Sequence, residues 1–328
     1  MPQRLVDRDP VVDPGSLVAS MVPPPRFVGV RFTTYRPDPH QPSQRAAVEA
    51  LQAFGFAPPK RRLGRTGPSP QPGIYLDGGF GVGKTHLLAS LWHEAPAPKL
   101  YGTFVELTHL VGALGFGNAT AALAQHQLLA IDEFELDDPG DTVLVSSLLQ
   151  RLVDRGVRIA ATSNTLPGSL GEGRFASADF RREIQALAAH FRPIRVDGED
   201  YRHRGLPTAP SPLSDAELQR RAESTPTASY DGFESLLQHL SRVHPSRYGA
   251  LVEGIDLVCV ERVVPVVDQA AALRLVVLAD RLYDRDVPVL TSGVPMDQIF
   301  PAELLAGGYR KKYLRAISRL TALARQAG

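Results

Sequence analysis

The apolar residues of this chain form two kinds of pattern, continuous runs and helical spacing, which alternate along the sequence. Short continuous apolar runs, as at 74–76 and 128–131, are typical of strands buried on both faces of a sheet. Between such runs, apolar residues fall every three or four positions, as at Val145, Leu148 and Leu152, and this spacing predicts amphipathic helices. The strand–helix–strand order predicts the α/β class, with a largely parallel sheet and helices on both of its faces.

Prolines, glycines and capping residues mark the ends of several predicted helices. Pro42 opens a helix, and Gly156 ends another that begins near Asp141. Ser214, three residues before Glu217, forms a capping-box pattern for a further helix. The pattern also predicts strands at 128–132 and 157–162 and a helix at 180–191, while 103–107 fits either a strand or the start of a helix.

Proline and glycine content divides the chain into four parts. The proline-rich stretch at 1–40 predicts an arm rather than regular structure. The predicted core spans 41–205, a proline-rich linker follows at 206–229, and a smaller α/β unit occupies 230–328.

The C-terminal unit echoes part of the core at a constant offset. Residues 281–287 resemble 151–157, and 257–260 resemble 127–130. The polar residues at the strand ends of the core are not repeated. The echo therefore predicts a second strand–helix–strand unit without the chemistry of the first.

A glycine-rich motif follows the predicted strand at 74–77 and precedes a predicted helix at 87–92. Its residues, which fit the phosphate-loop pattern G-x-x-x-x-G-K-[ST], are Gly78, Gly79, Phe80, Gly81, Val82, Gly83, Lys84 and Thr85. Glycines let successive backbone N–H groups point at phosphate oxygens, and the N-terminus of the following helix favours anions. Lys84 is predicted to contact the β and γ phosphates of ATP, and Thr85 to hold Mg²⁺. The alternative is a glycine-rich turn with a solvated lysine.

Polar residues end two of the predicted strands. Asp132 and Glu133 follow the apolar run at 128–131. Asp132 is predicted to hold Mg²⁺, and Glu133 to orient and polarise the water that attacks the γ phosphate. Asn164 follows the neighbouring strand and is predicted to contact the γ phosphate or that water. The alternatives are exposed acids at a strand end and an asparagine that terminates a strand.

Composition limits the classes of protein further. The formal net charge of +1 argues against a chain built wholly around nucleic acid. No apolar run approaches the roughly 20 residues that span a bilayer, and the N-terminus lacks a signal-peptide pattern, so a cytoplasmic protein without membrane insertion is expected. The one cysteine, Cys259, lies in an apolar run and is predicted to be an inert core thiol. The nine histidines form no metal-ligand pattern, which leaves Mg²⁺ as the only predicted metal.

Taken in order, the phosphate loop, the acidic strand and the strand that ends in Asn164 resemble the AAA+ ATPases. Three further motifs make the match more specific: Val-Asp-Gly-Glu-Asp-Tyr-Arg-His-Arg at 196–204, Leu-Tyr-Asp at 282–284 and Ser-Arg-Leu at 318–320. Together these motifs resemble the ZapE/AFG1-like ATPases, and the resemblance covers about 32–320. The resemblance implies an ATP hydrolase, and for bacterial members a cell-division ATPase that acts on FtsZ polymers.

The resemblance also implies self-association, with a finger arginine supplied in trans, and a lid-like second unit. The candidate residues are Arg174, Arg181 and Arg182 for the finger and Arg315 and Arg319 for nucleotide contact from the last helix. Ordinary surface arginines are the alternative. Two departures stand out: Leu-Tyr-Gly at 100–102 replaces the usual His-Phe-His, and Asp-Phe-Arg-Arg at 179–182 replaces Arg-Phe-Leu-Pro.

The leading hypothesis is an oligomeric ATPase that remodels a protein partner, FtsZ, and two alternatives stay open. The basic residues Lys60, Arg61, Arg62 and Arg65 favour a nucleic-acid-handling AAA+ protein of the helicase-loader kind. The departure around the finger arginines favours a nucleotide-gated binding switch that hydrolyses ATP slowly.

Overall fold

Two compact units make up the chain, and each is described by itself. The computed structural model describes residues 2–10, 14–56, 73–79, 81–136, 139–171, 180–198 and 208–327. The phosphate-loop unit comprises Asp13–Pro23 and Phe27–Arg204. The C-terminal unit comprises Met1–Val12, Pro24–Arg26 and Gly205–Gly328.

A parallel sheet forms the centre of the phosphate-loop unit. Its strands are β1 (Gly73–Gly78), β2 (Lys99–Thr103), β3 (Leu128–Asp132), β4 (Arg158–Ser163) and β5 (Phe191–Val196). They lie in the order β2-β3-β4-β1-β5, and every pairing is parallel. The carboxyl ends of β1, β3 and β4 therefore meet at one edge, which is where open α/β sheets bind their ligands.

Helices cover both faces of this sheet. They are α1 (Pro14–Ala19), α2 (Pro42–Phe56), α3 (Lys84–Glu94), α4 (Phe104–Leu114), α5 (Phe116–Leu123), α6 (Pro139–Asp154) and α7 (Arg181–Ala188). Leu128 and Ala130 of β3 pack into the core formed with α2 and α3, whereas Leu129 and Ile131 pack into the core formed with α4 to α7. Because both faces are buried, the strand reads as one unbroken apolar run.

The C-terminal unit contains a smaller parallel sheet in the order β6-β7-β8. Its elements are strands β6 (Ala228–Gly232), β7 (Leu257–Val263) and β8 (Val289–Gly293), and helices α8 (Asp215–Ser224), α9 (Phe233–Arg242), α10 (Tyr248–Leu251), α11 (Gln269–Asp284), α12 (Ala302–Ala306) and α13 (Arg310–Gln326). Helices α9, α11 and α13 pack on one face of the sheet, and α8 packs on the other. The two sheets confirm the predicted class, a phosphate-loop α/β sheet with a smaller C-terminal α/β unit.

The segment predicted as a linker, 206–229, contains a packed helix. Ser214 caps α8 as expected, because its Oγ accepts a hydrogen bond from the backbone N of Glu217 at 3.3 Å. Leu218 of this helix is fully buried against the second sheet. The C-terminal unit therefore begins earlier than the predicted boundary at residue 230.

The predicted N-terminal arm is divided between the two units. Gln3 forms a parallel bridge with Ser229 of β6. The backbone N of Leu5 donates to the Asp231 carboxylate at 2.9 Å, and the Leu5 side chain is fully buried. The proline content of 1–40 predicts that this stretch lacks long helices and strands. It does not predict these contacts, because each of them joins residues that are far apart in the sequence and leaves no local pattern.

The helix predicted at 180–191 is shorter than expected. It ends at Ala188, and Phe191 begins β5, a strand that the pattern missed. Arg192, Pro193 and Arg195 interrupt the apolar alternation in this strand. An edge strand tolerates such residues, because one side of it has no partner strand.

The echo seen in the sequence is also a structural one, since β7, α11 and β8 repeat the order of β3, α6 and β4. Glu133, directly after β3, and Arg262, one residue before the end of β7, both have left-handed backbones, with φ of 53° and 56°. Each backbone N donates to a hydroxyl on the next strand, Glu133 to Thr162 at 3.1 Å and Arg262 to Ser292 at 2.9 Å. This backbone hydrogen bond is thus repeated, although the constant offset of the sequence echo aligns Arg262 with Asp132 and Val263 with Glu133.

Cys259 lies in β7 and is fully buried, and burial raises the pKa of its thiol to about 12. Because only the thiolate reacts with alkylating agents, we expect the native protein to resist iodoacetamide at pH 8. Intact-mass spectrometry measures the labelling, with a guanidinium-unfolded sample as the positive control. Rapid labelling of the native protein would contradict this placement of the thiol.

No helix among the described residues has both the length and the apolar composition that a membrane span requires. Across the same parts of the chain, histidine, cysteine and carboxylate side chains do not gather in groups of three that suit a metal ion.

Candidate active site

The phosphate loop joins β1 to α3 through glycines with unusual backbone angles. Gly78, the last residue of β1, has a φ of 158°, and Gly83, just before α3, has a φ of 89°. A Cβ on Gly78 would lie 2.2 Å from the Val196 carbonyl oxygen, and one on Gly83 would lie 2.5 Å from the Tyr35 ring. Both positions therefore require glycine. The described part of the predicted cradle is Gly78, Gly79, Gly81, Val82, Gly83, Lys84 and Thr85, while Phe80 lies outside the described residues.

The Lys84 side chain turns back into the loop and is 9% exposed. Its Nζ donates to the carbonyl oxygens of Gly78 at 2.9 Å and Gly79 at 2.5 Å, and to Oδ1 of Asn164 at 2.9 Å. Lys84 also begins α3, and a helix N-terminus favours anions. Lys84 lies in the segment after β1 and Asn164 lies directly after β4. These two predicted site residues are thus in direct contact although they follow different strands.

Asp132 ends β3 and is 6% exposed. Thr85 Oγ1 donates to its Oδ1 at 3.3 Å, Thr162 donates to the same oxygen, and the Tyr101 phenol donates to Oδ2 at 2.9 Å. Burial raises the pKa of Asp132 and the nearby charge of Glu133 raises it further, whereas the three hydroxyl donors act in the opposite direction. Asp132 and Thr85 offer oxygen ligands within hydrogen-bonding distance of each other, so the pair fits a hard cation such as Mg²⁺.

Glu133 follows Asp132 in the left-handed backbone region, with a φ of 53°. This conformation costs a residue other than glycine about 1–3 kcal/mol, and it persists where neighbouring contacts impose it. Here the backbone N of Glu133 donates to Asp132 Oδ1 and to Thr162 Oγ1, each at 3.1 Å, and the backbone N of Phe134 donates to the Thr162 carbonyl at 2.7 Å. Arg262 of the C-terminal unit has the same left-handed backbone, so this strain belongs to the backbone arrangement, and the catalytic role of the Glu133 side chain stays a prediction.

Three residues that contact the predicted site had not been singled out for it. Tyr101 and Thr162 bind Asp132 from the strands on either side of it, and Glu135 binds the chain around Asn164. In the sequence, Tyr101 stands out only as part of Leu-Tyr-Gly at 100–102, which departs from the family motif. A threonine or a tyrosine in a buried strand gives no sign of such a role until the strand order is known.

The segment before α2 also forms part of the wall of the phosphate loop. The Tyr35 hydroxyl donates to the Val82 carbonyl at 2.9 Å, and its ring lies against Gly83. Thr34 Oγ1 and His86 Nε2 lie 2.9 Å apart, which ties this segment to α3. Part of the stretch predicted as an arm is therefore packed on the loop.

The described part of the motif at 196–204 borders the same loop. The Asp197 carbonyl accepts from Gln44 Nε2 at 2.8 Å. A Cβ on Gly198 would lie 3.1 Å from Val82 Cγ1, so this position favours glycine. The rest of the motif lies outside the described residues.

Of the three candidate finger arginines, two lie on α7 and one lies outside the described residues. Arg181 and Arg182 are exposed on the first turn of α7, and Arg174 lies outside the described residues, as does the basic stretch at 60–65. A role for any of these residues stays a prediction.

Arg315 and Arg319 both pair with one carboxylate of the C-terminal unit. Arg315 Nη2 lies 2.6 Å from Asp280 Oδ2, and Arg319 binds the other oxygen and stacks over the Tyr283 ring. Arg315 is only 9% exposed. These contacts give both arginines a packing role within α11 and α13, and their contact with nucleotide stays a prediction.

Solved structures similar to this chain match it in part. DnaI is 19% identical, with a TM-score of 0.44, and the match covers 55% of this chain and 97% of DnaI. AMPPCP-bound DnaA from Aquifex aeolicus is 17% identical, with a TM-score of 0.40, and the match covers 60% of this chain and 61% of DnaA.

Sequence comparison identifies the family. Cell division protein ZapE of Escherichia coli K12 is 27% identical to this chain, and the match covers 77% of this chain and 78% of ZapE. The profile of the AFG1-like ATPases matches residues 12–227 and 210–327, and so spans both units. This chain, with its phosphate loop and acidic strand end, therefore belongs to the AFG1-like ATPases and is an ATP hydrolase.

Proposed function

We propose that hydrolysis takes place where β1, β3 and β4 end, and that the residues gathered there divide the work. Lys84 binds the phosphates and Asn164 contacts the γ phosphate or the attacking water. The observation that supports this assignment is the 2.9 Å contact between Lys84 Nζ and Asn164 Oδ1, because it brings the carboxyl end of β4 beside the phosphate loop. Glu133 orients the water for in-line attack.

Thr85 and Asp132 are the residues that would hold Mg²⁺. The ion, when bound, neutralises charge on the phosphate oxygens. Tyr101 and Thr162 keep the Asp132 carboxylate turned toward Thr85, since each donates a hydrogen bond to one of its oxygens. The hydroxyl of Thr85 is 3.3 Å from that carboxylate.

We further propose that this cytoplasmic ATPase self-associates, receives a finger arginine in trans from Arg174, Arg181 or Arg182, and remodels FtsZ polymers in cell division. The similarity to Cell division protein ZapE, which extends over most of both chains, supports the biological role. The exposure of Arg181 and Arg182 on α7 leaves them accessible to another copy of the chain.

A sedimentation experiment tests the partner. FtsZ polymers are mixed with the protein, Mg²⁺ and ATP, and the pelleted fraction is compared with that obtained with ADP. We expect an ATP-dependent change that disappears for Lys84→Ala and persists for Glu49→Ala, an exposed residue on α2. Light scattering of Glu133→Gln with and without ATP measures self-association. An unchanged pellet in the presence of a working ATPase would exclude FtsZ as the partner.

The same preparation distinguishes the alternative of nucleic-acid handling. Binding of single-stranded DNA that falls steeply with salt and weakens in Arg61→Ala/Arg62→Ala would favour that function over FtsZ remodelling.

A further inference from the structure

Asn164 lies just beyond the paired part of β4. The register of β4 with β1 ends at Ser163, so the sheet does not hold the Asn164 backbone. Its N–H instead donates to Oε1 of Glu135 at 3.0 Å, while its side-chain oxygen accepts from Lys84 at 2.9 Å. The direction of the Asn164 amide therefore depends on a carboxylate from the exit of β3.

Glu135 holds the residues on both sides of Asn164 as well. Its Oε1 accepts from Ser163 Oγ at 2.9 Å, and its Oε2 accepts from Thr165 Oγ1 at 3.2 Å. Ser163 Oγ in turn accepts from the Thr165 backbone N at 3.0 Å. Three consecutive residues of the turn thus converge on one carboxylate, which is 7% exposed.

The segment that carries Glu135 is itself fixed to the core. Phe134 is fully buried and packs edge-on against Tyr75, Phe104 and Phe191, with ring centroids 6.1, 5.0 and 5.9 Å apart. Its backbone N is bonded to the Thr162 carbonyl at 2.7 Å. Glu135 is thus a rigid support for the turn, joined through one residue to Glu133.

We propose that Glu135 is a positioning residue that holds Asn164 in register with Lys84 and the γ phosphate. This inference rests on the role of Asn164 proposed above. A displacement of about 1 Å in a group that orients the reactants can cost about 100-fold in rate. In this proposal the carboxylate acts through the turn at 163–165, whose residues it binds, rather than on the phosphate itself.

Steady-state ATP hydrolysis and nucleotide affinity test the proposal. We expect Glu135→Ala to lower kcat by about 10- to 100-fold, while the Kd for ATP changes by less than about threefold, because Lys84 and the loop are intact. Glu135→Gln keeps an oxygen acceptor for the Asn164 N–H and should recover most of the rate. Glu49→Ala controls for the loss of a glutamate from this unit.

A double-mutant cycle with Asn164→Ala separates positioning from a general loss of structure. If Glu135 acts through Asn164, adding Glu135→Ala to Asn164→Ala should lower kcat by less than about threefold more. Effects that multiply would overturn the positioning role. A normal kcat for Asn164→Ala would overturn both that role and the function proposed for Asn164, whereas loss of rate in Asn164→Ala with a normal Glu135→Ala would overturn the positioning role alone.

Folding is checked independently by circular dichroism and thermal unfolding. If Glu135→Ala does not fold, Ser163→Ala takes its place in the cycle, because it removes one donor to Oε1 and leaves the carboxylate in place. The expected result is a smaller drop in kcat with the same non-additivity toward Asn164→Ala. Multiplying effects in that cycle would again contradict the proposal.

Discussion

Replacement of Glu133 by glutamine is expected to slow ATP hydrolysis by about 100- to 10,000-fold, the range typical of a lost general base or water-orienting group. Glutamine has the same shape but a far weaker basicity, so it cannot polarise the attacking water. Nucleotide affinity should be retained, because the phosphate loop and Lys84 are unchanged. Single-turnover hydrolysis of radiolabelled ATP and equilibrium binding of a fluorescent ATP analogue measure the two quantities on the same preparation.

The matched control for this experiment is Glu49→Gln, which makes the same chemical change on the exposed side of α2. It should hydrolyse ATP at the parental rate. If Glu133→Gln also turns over ATP at close to the parental rate, Glu133 does not orient the water. A loss of ATP binding in Glu133→Gln would instead indicate that the left-handed turn at this residue has collapsed.

The phosphate loop and the acidic strand end could be predicted because their signals are local. The spacing of the glycines with Lys84 and Thr85 is visible in the sequence itself, and a polar pair directly after a buried apolar run marks a strand exit. The parallel sheet then follows from the alternation of strands and helices. Asn164 was placed correctly at the neighbouring strand end because β3 and β4 are adjacent in the sheet.

The supporting residues could not be predicted, because their roles depend on contacts across strands. Tyr101 binds Asp132 from β2, 31 residues away, and Glu135 binds the turn around Asn164, 29 residues away. In the sequence, Tyr101 is one aromatic residue in an apolar strand and Glu135 one more acid after Glu133. Only the order β2-β3-β4 gives each of them a partner.

The C-terminal unit shows which features of the arrangement around Glu133 belong to the backbone and which belong to the side chains. Its Arg262, one residue before the end of β7, has the same left-handed backbone as Glu133 and the same hydrogen bond to a neighbouring hydroxyl. Arg262 lies 3.4 Å from the Asp215 carboxylate, and Ser292 also donates to that carboxylate. A left-handed residue near a strand end therefore recurs in this chain without the acidic pair, and the catalytic use proposed for this arrangement depends on the carboxylates of the first unit.

Replacement of Asp132 by asparagine is expected to have two opposite effects. Hydrolysis should fall by at least about 100-fold, because the residue proposed to hold Mg²⁺ loses its charge. The nucleotide-free protein should nevertheless become more stable at neutral pH. Burial raises the pKa of Asp132, which means that the folded state disfavours its ionised form.

The sign of the pH dependence follows from this shift. An aspartate whose pKa is raised on folding costs stability in full above the folded pKa; the cost shrinks as the pH falls from the folded pKa toward the unfolded pKa, and it is absent below the unfolded pKa, where both states are protonated. The advantage of asparagine should therefore be largest at pH 8 and shrink toward acid. For a unit of this size, a gain of 1 kcal/mol raises Tm by about 2–4 °C.

Scanning calorimetry in EDTA at several pH values measures this effect, and Tyr101→Phe is the matched comparison. That variant removes the phenol that donates to Asp132 Oδ2, so the buried carboxylate is less well solvated and Tm should fall. A Tm for Asp132→Asn below that of the parent at pH 8 would show that the three hydroxyl donors more than offset the cost of burial. Opposite shifts of Tm in the two variants would mark Asp132 as a residue kept at a cost to stability, which is typical of functional sites.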